Sequence, residues 1–196
     1  MQSRLYFFVS IGFSFIGWGI VTARYVWPQL RVRPRADALR PLLALHSFRF
    51  IGLAFLVPGV VSPDLPAAFA RSAAPGDLIA AILALVAFLS LPSTAGIVIA
   101  WLFSIWGSAD LVNAFYQANH GGLIPGQLGA TYFIPTVIVP LLCITHGLTF
   151  RILLRHQHVS APADSGKIGK PLPSGAARLV NSDCTHRSLV GFEKIG

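Results

Sequence analysis

Residues 78–109 read LIAAILALVAFLSLPSTAGIVIAWLFSIWGSA, and none of these side chains carries a formal charge. A helix needs about 20 predominantly apolar residues to cross the hydrocarbon of a bilayer. The stretch therefore reads as the greater part of two membrane-spanning helices, divided at Leu91-Pro92-Ser93 by a proline turn. Asp110 follows at once, and it is the only formally charged residue between Leu78 and Phe150.

The rest of the chain supports the same reading. Of its 196 residues 54% are hydrophobic and 11% charged, whereas a soluble domain carries about 25% charged residues. A single core of this size could not hide so much apolar surface. An ordinary cytosolic enzyme, a disordered chain and a disulfide-built secreted domain are all excluded. The net charge of +8 does not point to nucleic acid. Arg24, Arg31, Arg33, Arg35 and Arg40 crowd one short connector, and most other basic residues follow Phe150, as expected of membrane topology and anionic lipid. Cys143 and Cys184 have no ligand spacing around them, so neither a disulfide nor a metal site is expected.

Working outward, five segments are apolar enough to span: about 5–23, 41–61, 76–91, 95–116 and 131–154. The expected fold is an all-α membrane bundle over residues 1–155. Leu65 to Ala74 reads as an interfacial loop between Pro66 and Pro75, or as added length for the short third span. Val21-Thr22-Ala23 resembles a signal-peptide cleavage site, but cleavage would leave five arginines on the translocated side, so the first span is expected to be retained. The same arginines place the connector in the cytoplasm, the N-terminus outside and the C-terminus inside. Small residues such as Gly76, Ala80 and Ala84 are suited to close helix contact. Residues 156–196 are rich in Ser, Pro, Gly and Lys without periodicity, and read as a disordered cytoplasmic tail.

Ionisable groups inside a membrane are costly, so each needs a reason. His46 and Arg49 share a face of the second span. Trp106, Asp110, Asn113 and Gln117 form one stripe along the fourth, at i, i+4, i+7 and i+11. His146 and Thr149 share a face of the fifth. Asp77 follows Pro75-Gly76 at the start of the expected third span, where it reads as an N-cap. From the 1.5 Å rise per residue, His46 lies about 9 Å and His146 about 7.5 Å from the cytoplasmic interface, with Arg49 at about 13 Å and Asp110 at about 24 Å. A direct Arg49–Asp110 pair then needs helix tilt and the reach of the arginine stem.

Two readings of these residues stay open. Arg49, Asp77, Asp110, Asn113 and Gln117 either line a polar intramembrane pocket or act as interhelical glue. The level pair His46 and His146 either bond neighbouring helices or supply both axial ligands of a b-type haem. No phosphate loop, nucleophile elbow or metalloprotease motif is present in the sequence.

Leu45 to Leu56 (LHSFRFIGLAFL), Leu65 to Ala70 (LPAAFA), Ala74 to Asp77 (APGD) and Trp106 to Leu111 (WGSADL) together resemble a family of small, uncharacterised bacterial multi-pass membrane proteins. Its pattern is an Arg followed by Gly and Phe-Leu, then Leu-Pro-x-x-Phe-Ala, then Gly-Asp, then Gly-x-x-Asp-Leu. The resemblance covers about residues 41–155 and implies that Arg49, Asp77 and Asp110 belong to one polar design. It implies no activity. His46 stands where the pattern has an aromatic residue, and the tail lies outside it.

The expected function is that of a non-enzymatic bacterial inner-membrane protein. It binds or transports a small polar solute or ion without a cofactor, with the bilayer as its surroundings and a homo-oligomer or larger membrane complex as its assembly. The alternatives are a haem b electron carrier and an accessory subunit.

Overall fold

The computed structural model describes residues 2–155; the expected tail, with its histidines and Cys184, lies outside them. The described residues are helical apart from turns and an isolated bridge between Pro58 and Val61. Five helices are long and apolar enough to cross a membrane: α1 (Gln2–Leu30), α2 (Arg35–Leu56), α3 (Ala67–Ser90), α4 (Thr94–His120) and α5 (Ile134–Leu153). A short 3₁₀ segment, Pro125–Tyr132, joins the last two.

The helix ends follow local chemistry. Pro34 and Pro66 precede α2 and α3 in extended conformation, as a residue outside a helix start should be. Ser93 caps α4, its hydroxyl accepting from the Gly96 N–H at 3.1 Å. That helix ends where Gly122 takes φ +65°. The Leu123 N–H then bonds the Ala118 carbonyl at 2.9 Å and the Gly122 N–H that of Asn119 at 3.2 Å, the paired closure that a left-handed glycine permits.

Of the two readings of residues 65–74, the added length for the third span holds and the interfacial loop does not, because α3 runs from Ala67 through Pro75 to Ser90. Proline removes one hydrogen bond from a helix interior, but the flanking alanines are the strongest helix formers and carry the helix past it. Asp77 consequently sits inside a helix rather than at its N-cap.

The α3–α4 interface is extensive, and it is built from small residues. Gly76, Ala80, Ala84 and Ala87 on α3 and Gly96 and Ala100 on α4 are all buried, which lets the two backbones approach closely. In contrast, no residue of α1 between Gln2 and Val21 is buried. This helix lies against α5, where the Trp18 indole donates to the Val137 carbonyl at 3.2 Å.

Arginines gather at one end of the bundle and close helix C-termini there. Arg40 donates to the Leu91 carbonyl, Arg35 to that of Leu153, and Arg155 to those of Leu30 and Arg31. Free carbonyls at a helix end favour cations. Arg151 and Arg155 also stack over the Trp27 ring, at 4.0 and 4.7 Å. The opposite end is tied by the Ser62 N–H to the Gln127 carbonyl and the Ala130 N–H to the Val60 carbonyl. Two apolar clusters fill the interior. One holds Leu39, Leu43, Phe103 and Ile152, and the other Phe55, Phe69, Leu128 and Ile134. Along each inner helix the polar residues fall between them.

Candidate functional site

Arg49 is the largest fully buried side chain among the described residues, at 2% exposure. An uncompensated guanidinium in an apolar interior is costly, and here every nitrogen has a partner. Nε donates to Asp77 Oδ1 at 2.8 Å, and Nη2 lies 2.8 Å from the same oxygen. Nη2 donates to Asp110 Oδ2 at 2.8 Å, and Nη1 to the Gly107 carbonyl and to His146 Nε2, each at 3.2 Å. One side chain of α2 thereby ties together α3, α4 and α5. The planar fork of arginine, with five donors and no acceptor, suits this arrangement where lysine would not.

The direct Arg49–Asp110 pair closes a gap in depth of about 11 Å expected from helical rise. From Ser47 onward α2 is a 3₁₀ helix, which climbs about 2.0 Å per residue and so recovers about 1.5 Å of the gap by Arg49. The arginine stem reaches across part of the remainder.

Three glycines make room for the network. A Cβ on Gly52 would fall on the Asp77 carboxylate, one on Gly76 on that of Asp110, and one on Gly107 on Arg49 Nη1 and the His146 ring. Each charged residue of the pattern noted in the sequence is thus accompanied by a glycine that gives a network side chain its space.

Hydrogen bonding sets the role of His146. A guanidinium can only donate, so His146 Nε2 accepts and its proton is on Nδ1. The Thr145 hydroxyl lies 2.8 Å from the Leu141 carbonyl of its own helix and 3.0 Å from His46 Nε2. Nδ1 of both rings is buried without a partner among the described residues, as is Ser104 Oγ.

The two imidazoles are level, but their ring centroids are only 4.3 Å apart, and both pack on Phe103. Rings in direct contact leave no space for a macrocycle between them. The haem b arrangement of His46 and His146 therefore does not fit this geometry.

Asn113 and Gln117 are placed differently from Asp110. Both are half-buried, and neither bonds the network nor lines the cavity beside it. The Trp106 indole, on the same stripe, donates to the Gly76 carbonyl at 3.3 Å.

That cavity, of about 520 Å³, lies between α1 and the bundle. Asp77 and Asp110 are at one end of it and Arg4 and Asn119 at the other, with aromatic and aliphatic walls between. Sequence reasoning missed these walls, since Phe7, Phe55 and Phe69 are indistinguishable by residue type from lipid-facing phenylalanines. Thr145 was missed as well, although it adjoins His146 in the chain.

Residues 6–154 match the family described as "Domain of unknown function (DUF8737)". The chain belongs to this family. The matched region takes in Arg49, both aspartates, both histidines and all but the first few residues of the helical bundle. No curated protein and no solved structure matches.

Proposed function

We propose that this DUF8737 member is a multi-pass protein of the bacterial inner membrane that binds or transports a small polar solute or ion, with Asp77 and Asp110 as the recognition groups. One observation carries the reading: the buried Asp77–Arg49–Asp110 network forms the end wall of a cavity instead of being sealed within a dry helix contact. Ionisable side chains in a spanning segment that face a cavity commonly mark a solute or ion path. A solely structural network has no need of such an opening.

The arginines at the connector end support a cytoplasmic position for that end under the positive-inside bias. The end of the cavity lined by Arg4 and Asn119 then faces outward.

The test is access. In protein whose native cysteines are replaced, a cysteine at Ala118, on the cavity wall, is expected to react with an impermeant thiol reagent added to intact cells. One at Val112, exposed on the outer apolar surface, is expected to resist it. An unreactive residue 118 would contradict an outward-facing cavity.

A further inference from the structure

The two ends of the cavity and its walls have different chemistry, and together they narrow the occupant. Arg49 sets one positive charge against two carboxylates, so the inner end is net negative when both are ionised. The Asp110 side chain is only 7% exposed, and just one of its oxygens, Oδ2, is bonded to Arg49. Oδ1 rests against Gly76 and accepts no hydrogen bond among the described residues. Asp77 repeats the arrangement, with Oδ1 on Arg49 and Oδ2 against Gly52. Carboxylate oxygens left without a donor beside a cavity are available to one supplied by a ligand.

The walls are apolar: Phe7, Phe8, Phe55, Phe69, Leu111 and Phe115 line the space between the two ends. Asp110 and Asn119 are nine residues apart on α4, about 14 Å along the axis. A hydrophilic solute would lose its hydration against such walls without replacement, and an anion would meet two carboxylates. A bare inorganic cation uses the inner end but none of the walls. A molecule with an ammonium-type group on an apolar body of this length uses both, and phenyl faces add their own attraction for a cation. Arg4 at the outer end repels a cationic head there, which favours the head-inward orientation.

Resting on the solute-binding reading above, we infer that the cavity is a site for an organic cation with an apolar body, an alkyl- or arylammonium compound, whose head is held by the free oxygens of Asp110 and Asp77. The cavity volume of about 520 Å³ is in the range of small-molecule sites.

The experiment is calorimetric titration of the full chain in phosphatidylcholine nanodiscs, with empty nanodiscs subtracted. The probes are n-octylammonium, n-octanol, octanoate and sodium chloride. Saturable binding of octylammonium is expected, about tenfold or more tighter than octanol, with none for octanoate. Asp110→Asn should weaken it by a similar factor. Ala114→Phe should do the same, because it fills the cavity without removing a member of the ion network, and it decides the matter if the aspartate variant fails to fold. Octanol binding as tightly as octylammonium, or full binding by Ala114→Phe, would overturn the inference. Sodium alone giving the saturable signal would overturn the organic-cation class while leaving solute binding in place. No saturable signal from any probe, with residue 118 unreactive to thiol reagent, would remove both.

Discussion

Gly76 and Asp110 meet so closely that a methyl group on the glycine would occupy the space of the Asp110 carboxylate. The contact lies on the α3–α4 interface, beside the ion pair that joins both helices to α2. Gly76→Ala should therefore push Asp110 away from Arg49. The expected loss is about 1–3 kcal/mol, read as a lowered Tm in detergent or nanodiscs. Gly17→Ala is the control, since its new methyl group meets nothing within 4 Å. It should leave Tm unchanged or slightly raised.

Arg49 and Asp110 should show strong thermodynamic coupling. Arg49→Leu leaves two buried carboxylates without their cation, a loss on the order of 3–5 kcal/mol. Adding Asp110→Asn removes part of that mismatch, so the double variant should be more stable than additivity allows, with an interaction energy within about 0.5–3 kcal/mol. Strictly additive losses would exclude the direct pair.

The histidines should respond unequally. His146→Leu leaves one Arg49 N–H without its acceptor, which costs about 1–3 kcal/mol. His46→Phe keeps an aromatic ring against Phe103 and frees only a threonine hydroxyl that already bonds its own helix. It should be the milder change in thermal denaturation. Equal losses would contradict the role of His146 as an acceptor for Arg49.

Topology is checked by thiol labelling of intact cells. A cysteine at Arg33, within the basic connector, should be protected from an impermeant reagent, and one at Gly122, in the loop after α4, should label. The reverse pattern would invert the orientation.

How much of this was legible in the sequence differs from residue to residue. The five helices were, because apolar runs of spanning length have few alternatives in lipid. The start of α3 was not: Pro75 reads locally as a boundary, and only the alanine-rich helix continuing on both sides overrides it. Arg49, Asp77 and Asp110 stood out as charges in apolar surroundings, and the structure brings them together. Asn113 and Gln117 shared the helical stripe of Asp110 and lie at the depth of the cavity, but Ala114, Ala118 and Asn119 line it, because Asp110 stands at the margin of the cavity-facing side and the stripe continues on its other side. The cavity walls left no trace, since a phenylalanine facing a cavity and one facing lipid have the same residue type.

The central claim is that one guanidinium bonds both carboxylates at once. Solid-state NMR on protein in lipid bilayers, with ¹⁵N-labelled arginine side chains and ¹³Cγ-labelled aspartate, measures it directly. Arg49 Nη2 lies 2.8 Å from an oxygen of each aspartate, so its ¹⁵N signal should be strongly dephased by both carboxyl carbons, and Asp77→Asn and Asp110→Asn, labelled only at aspartate, should each remove part of the effect. An Arg49 signal with no dephasing, or one that a single aspartate accounts for in full, would contradict it.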